Sequence, residues 1–307
     1  MANDAITDTI AKQQWLDVIA DPLQEAVHGA FPGEIGRAFK NALHGTWLGH
    51  PLHPVLTDIP IGAWTVAAVL DVLEAVSDRE EVAAAADACI AVGIAGALGA
   101  AVTGFTDWSD TYDKGRKVGL THGLLNIAAT GLYVASLVMR RRQKSRGVAV
   151  GLSMLGYAIS GSSAWLGGHL VFGEQIGVDH TATTDAGKPK EFVAVMNAAD
   201  LAENTPTRVL AEGVAVCIVK RRGARFAITD TCPHLGGPLS EGKLVGDAIQ
   251  CPWHQSELAL ADGHVVNGPT TFPARVFDTR VRDGKIQIRA ARNETKNVRI
   301  PGSAHKG

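Results

Sequence analysis

Cys232-Pro233-His234 and Cys251-Pro252-Trp253-His254 are separated by 16 residues and combine two thiols with two imidazoles. Soft thiolates and neutral imidazoles are ligands for iron or zinc. Two Cys and two His would suit tetrahedral zinc. Zinc fingers, however, usually pair Cys with Cys in one half and His with His in the other, whereas each half here holds one of each. The mixed pairs fit a two-iron cluster better, with thiolates on one iron and imidazoles on the other. Replacing two thiolates by imidazoles raises the potential above that of an all-cysteine cluster. The prolines after both cysteines stiffen the two short loops, each of which can end a β-hairpin.

The run Cys232-Pro-His-Leu-Gly-Gly-Pro-Leu-Ser-Glu-Gly242, followed by Cys251-Pro-Trp-His-Gln-Ser-Glu, resembles the Rieske family in its ferredoxin branch, over residues 191–290. The resemblance implies a [2Fe–2S] cluster whose buried iron is bound by Cys232 and Cys251. His234 and His254 then bind the outer iron and face a redox partner. Leu235, Pro238, Trp253 and Ser256 are expected around it. Respiratory members carry one extra cysteine in each loop, forming a disulfide; those places hold Gly237 and Trp253. Ser256 matches a serine that donates to a cluster sulfur in some members, while the accompanying tyrosine position is Leu258. Fewer donors and no disulfide imply a potential below that of the respiratory proteins. Gln255 stands where glycine is usual, which questions the local turn.

A 307-residue chain has room for two domains. Hydrophobic residues make up 46% of it and crowd into the first 175 positions, while a net charge of −2 gives no basis for nucleic-acid binding. Cys89, in an apolar stretch, and Cys217, in an expected strand, read as packed thiols rather than a disulfide framework. The acidic start lacks the basic and apolar regions of a secretory signal.

The expected architecture is multi-domain: an α-helical four-span membrane bundle followed by an all-β domain, a small antiparallel sandwich or barrel. Residues 1–45 read as amphipathic helix, with Trp15, Leu16, Val18, Ile19 and Leu23 mainly on one face. Within 46–173 lie four apolar runs, at 59–76, 88–106, 118–139 and 147–173, each near or above the roughly 18 residues needed to span. Only the first carries acidic residues, Asp71 and Glu74. Residues 174–190 form a polar linker and 191–290 the β domain, with strands expected at 192–196, 214–220, 226–229, 248–250, 274–279 and 285–289. The tail 291–307 is expected to be disordered.

Histidines mark one face of the membrane half. His50 and His53 precede the first span, His122 begins the third and His169 ends the fourth, so alternating helix directions bring all four to the same side. Boundary histidines are costly and usually functional, and imidazoles on facing bundle helices suit haem b, a metal or a quinone. The competing reading has them bonded to backbone and headgroups. Residues 40–173 also resemble an uncharacterised family of four-helix membrane domains through His50-Pro-Leu-His-Pro54, Thr103-Gly-Phe-Thr-Asp-Trp108, His122 and Gly167-Gly-His169.

The basic block Arg140–Arg146 favours a cytoplasmic turn between spans three and four, hence a β domain outside. Lys114, Arg116 and Lys117 and the absent signal argue the other way. The expectation is a multi-pass cell-membrane protein with the β domain on the non-cytoplasmic side. It would pass single electrons to or from a protein partner or quinone, as a component of an oxidoreductase system. Only 53 residues follow His254, too few for the mononuclear iron domain of a complete oxygenase. No catalytic residue is expected. The alternative is a redox-sensing or structural interaction module.

Overall fold

The computed structural model describes residues 2–77, 79–183 and 188–291. The expected tail, from 292 on, and residues 184–187 of the expected linker lie outside the described residues. The chain divides into two compact units, one of residues 1–43 with 51–176 and the other of residues 44–50 with 177 onward.

Among the described residues the first unit contains seven helices: α1 (Ala2–Ala11), α2 (Trp15–Gly29), α3 (Gly33–His44), α4 (Leu52–Ser77), α5 (Glu80–Trp108), α6 (Asp113–Arg141) and α7 (Arg146–Phe172). The last four are long and apolar enough to cross a membrane. The first three of these outrun their apolar stretches by a polar turn or more, because backbone hydrogen bonds continue wherever partners remain, while α7 matches its own to within a residue. His53 therefore lies inside the first turn of α4 rather than before it, and His122 lies nine residues into α6 rather than at its start.

Small residues let these helices approach closely. A Cβ at Gly93 of α5 would collide with the Trp64 indole of α4, and one at Gly96 would sit 2.5 Å from Ile59 Cγ2. Trp64 in turn stacks on Tyr133 of α6, with ring centroids 4.0 Å apart. Large apolar side chains such as Val66, Val69, Leu98, Val102 and Leu155 point outward, as a lipid solvent demands.

One end of the bundle is tied by charge. The Arg140 side chain, fully buried, donates to both oxygens of the equally buried Asp71 at 2.6 and 2.7 Å and to Asp87 at 3.0 Å. Arg146 spans Asp87 and Glu74 beside it. At the other end α2 caps the bundle, with Leu16 and Ala20 packed on Trp108 and Leu120. Trp15, Val18 and Ile19, expected on the same face, stay exposed. Gln24 donates to the Trp108 and Thr111 carbonyls, and Lys40 pairs with Asp110.

Among the described residues the second unit is built from ten strands: β1 (Val193–Asn197), β2 (Thr207–Ala211), β3 (Val214–Arg221), β4 (Ala224–Thr229), β5 (Lys243–Val245), β6 (Ala248–Gln250), β7 (Glu257–Ala259), β8 (Val265–Asn267), β9 (Val276–Arg282) and β10 (Lys285–Ala290). They form an antiparallel six-stranded sheet, β1-β10-β9-β4-β3-β2, and a four-stranded one, β5-β6-β7-β8. The nearly unbroken apolar run of β3 follows from burial on both faces. Cys217 and Val219 face a core shared with the small sheet, while Val216 and Ile218 face a second core under β1, β2 and β10. Six strands match the expected ones to within a few residues. The strands at 207–211, 243–245, 257–259 and 265–267 were not foreseen, three of them being only three residues long.

Candidate metal centre

Two copies of one turn carry the candidate ligands. In the loop after β4, Gly236 N–H donates to the Cys232 carbonyl at 2.9 Å and Cys232 N–H to the Gly237 carbonyl at 2.8 Å. In the loop after β6, Gln255 N–H donates to the Cys251 carbonyl at 3.1 Å and Cys251 N–H to the Ser256 carbonyl at 2.8 Å. The matching fifth residues are both left-handed, with φ +82° at Gly236 and +62° at Gln255. Gln255 thus keeps the turn usually made by glycine, at a cost of about 1–2 kcal/mol for an L residue there.

Asp230 anchors the first loop. Its buried carboxylate accepts from Ser240 N–H at 2.7 Å and pairs with Arg208 at 3.0 Å. Sequence reasoning passed over it, since a lone Asp two residues before a cysteine carries no signal of its own.

The four candidate ligands meet in pairs of like type. Cys232 and Cys251 are each 1% exposed and sit in the apolar core with Leu239, Ile249 and Leu258. Their thiols hydrogen-bond to one another. That bond, with burial, pushes Cys232 well above the usual thiol range. Its counterpart lowers Cys251 to about 6, aided by the Trp253 and His254 N–H groups against the opposing effect of burial. Cys232 accepts in addition from His234 N–H and from the Ser256 side chain. The fully buried Ser256 Oγ itself accepts from Thr270 N–H at 3.0 Å.

The half-buried imidazoles of His234 and His254 converge through their Nδ1 atoms, 3.1 Å apart, with ring centroids 4.7 Å apart. Two imidazoles on one tetrahedral metal, at about 2.0 Å per bond, hold their nitrogens about 3.3 Å apart. Among the described residues no three His, Cys, Asp or Glu side chains converge on a single ion. Two separate two-donor ends fit a pair of bridged irons better than one zinc.

The remaining expected residues surround this centre. Gly237 is pressed against the second loop: a Cβ there would lie 2.9 Å from Cys251 Sγ and 3.0 Å from the Trp253 ring. The two positions that match the family's disulfide are therefore face to face. Trp253 is 53% exposed beside His254, while Leu235 and Pro238 are half-buried. Leu258 is wholly buried.

Among the described residues no three of the histidines of the membrane half converge on a single ion. His53 and His122 approach each other, with ring centroids 6.4 Å apart. His169 is held by Glu174 at 3.1 Å and stacks on Trp165. His50 belongs to the second compact unit.

Residues 191–278 match the model of the Rieske [2Fe-2S] domain, and residues 49–180 that of a predicted membrane protein domain, DUF2231. Ferredoxin CarAc of Metapseudomonas resinovorans is 37% identical over 98 residues, 32% of this chain and 92% of the relative. The ferredoxin component of the p-cumate 2,3-dioxygenase system of Pseudomonas putida is 34% identical over 100 residues, 32% of this chain and 85% of the relative. Among solved structures, the ferredoxin of carbazole 1,9a-dioxygenase from Nocardioides aromaticivorans is similar at 24% identity and a TM-score of 0.32, covering 33% of this chain and all of that one. The chain belongs to the Rieske [2Fe–2S] family through its C-terminal domain, which here follows a segment that matches the model of a predicted membrane protein domain.

Proposed function

We propose that this protein is a membrane-anchored one-electron carrier. Cys232 and Cys251 would hold the inner iron of a [2Fe–2S] cluster, and His234 and His254 the outer iron. The observation that carries this reading is the pairing by type: two thiols in the core, two imidazole Nδ1 atoms 3.1 Å apart at the loop tips. The cluster supplies reversible one-electron chemistry when bound. The protein's own part is to place thiolate acceptors under the His234, Trp253 and His254 N–H groups and the Ser256 hydroxyl, and to exclude water with Leu239, Ile249 and Leu258.

An oxygenase component or a reductase is the proposed protein partner, since ferredoxin relatives are named as parts of dioxygenase systems. It would dock at the tip formed by His234, His254 and the exposed Trp253. The membrane bundle is proposed to hold a second cofactor, haem or quinone, beside its histidines.

The β domain is proposed to lie outside the cytoplasm. Lys114, Arg116 and Lys117 all have carboxylate partners, in Asp8, Glu174, Asp17 and Asp21. The block Arg140-Arg-Arg-Gln-Lys-Ser-Arg146 at the opposite end carries five basic residues against these three, which favours that end for the cytoplasmic side. A C-terminal reporter active only outside would agree, and cytoplasmic activity would reverse the orientation. The cluster assignment is tested by His234→Ala and Cys232→Ala in the full chain. Both should abolish the cluster spectrum, and an unchanged spectrum would overturn the ligand set.

A further inference from the structure

Two helices at one end of the bundle expose apolar stripes. In α2 the exposed Trp15, Val18, Ile19, Pro22 and Ala26 fall within an arc of about 100°, given 3.6 residues per turn. In α3 Ile35, Ala38, Phe39 and Ala42 follow the i, i+3, i+4, i+7 pattern of one helix face, and all are exposed. Val18 is 76% exposed and Ile35 88%. Phe31, in the connection between the helices, packs its ring against Phe39 with centroids 6.0 Å apart and extends the α3 stripe.

The sides of α2 that meet the bundle lie elsewhere. Leu16, Ala20 and Leu23, centred about 110° from the stripe, pack on Trp108 and Leu120. Asp17 and Asp21 hold Arg116, Gln24 donates to the Trp108 and Thr111 carbonyls, and His28 donates to the Ser109 carbonyl. Those four are centred about 210° from the stripe. The bundle therefore takes both flanks of α2, and the stripe looks away from it. α3 repeats this arrangement: Lys40, paired with Asp110 in the turn beyond α5, lies about 150° from the α3 stripe.

The depth of these contacts identifies what the stripes meet. α6 has 29 residues, about 43 Å at 1.5 Å each, against a hydrocarbon core of about 30 Å. A centred span leaves about 6–7 Å of helix among the headgroups at each end. Lys117, paired with Asp17, and Leu120, packed with Leu16, stand about 6 and 10 Å along α6 from Asp113, on either side of that boundary. At this depth, a face turned away from the bundle meets lipid. Helices in the interface plane put an apolar face into the acyl boundary and keep their charges off it; neither stripe contains a charged residue. Trp15 is a residue type enriched at that level.

We infer that α2 and α3 lie in the membrane interface and bind the surrounding lipid through these two stripes, a second anchor beside the four spans. The inference rests on the membrane-anchored reading proposed above. The test attaches one nitroxide at a time to the full-length protein in phosphatidylcholine nanodiscs. Its collisions with oxygen, which concentrates in lipid, are compared with those of a nickel chelate, which stays in water. Val18→Cys, Ile35→Cys and Ala42→Cys label the stripes, Arg37→Cys the polar side of α3, and Leu98→Cys the outward face of α5. All are made in a Cys89→Ala background, the other cysteines being buried. The oxygen-to-nickel ratio should be several-fold higher at the three stripe positions and at Leu98 than at Arg37. A high ratio at Leu98 with low ratios in the stripes overturns the inference and leaves the spans standing. So does a stripe shielded from both reagents, which marks a covering protein. A low ratio at Leu98 overturns the membrane reading itself, and this anchor with it.

Discussion

Removing the Ser256 hydroxyl should lower the cluster potential and leave the cluster in place. Ser256 donates to Cys232 and is locked in that role, because Thr270 N–H occupies its oxygen at 3.0 Å. Reduction adds one electron and makes the thiolate a stronger acceptor, so the bond favours the reduced state. Hydrogen bonds to charged groups contribute about 1.5–3 kcal/mol. The part that differs between the two redox states is smaller, about 1–2 kcal/mol. At 59 mV per 1.4 kcal/mol for a one-electron couple, Ser256→Ala should fall by about 40–85 mV. Thr270 N–H also loses its acceptor, so stability should drop by about 1–3 kcal/mol. The assay is a redox titration of the full chain followed by visible circular dichroism, against the unaltered protein. An unchanged or raised potential, with an intact cluster spectrum, would refute the reasoning.

Other substitutions probe the loops and the bundle. Gln255→Gly relieves the left-handed residue and should stabilise the domain by about 0.5–1 kcal/mol in denaturant unfolding; a loss would show that the Gln255 side chain has its own role. Gly237→Ala forces a Cβ onto Cys251 Sγ and Trp253. It should cost about 1–3 kcal/mol and weaken cluster retention, read from iron content. Arg140→Met or Asp71→Leu alone should destabilise the bundle by about 3–5 kcal/mol, and the double variant should recover most of it. Additive losses in a thermal scan would mean that the pair is not coupled.

The features legible in the sequence are those whose causes are local. Each ligand loop is made within about five residues, and a spanning helix announces itself by its own apolar run. β3 is read easily because burial on both faces makes it a nearly unbroken apolar run. What escaped depends on partners distant in the chain. In the sequence Asp71 is only an acidic residue in the first apolar run, and its contact with Arg140, 69 positions on, makes it a buried pair. Three-residue strands such as 257–259 have too little length to show a period. The four histidines share a face by helix alternation, yet only packing shows that His53 meets His122 and that His169 meets Glu174. Gln255 shows the same limit from the other side. Its side chain argued against a turn that the surrounding backbone hydrogen bonds enforce.

The central claim is one cluster whose two irons have different ligands, and Mössbauer spectroscopy of the full-length protein grown on ⁵⁷Fe reads this directly. Two inequivalent irons of equal area are predicted, with the added electron of the reduced state on the iron bound by His234 and His254. A single kind of iron site, or a protein that holds zinc and no iron, would contradict it.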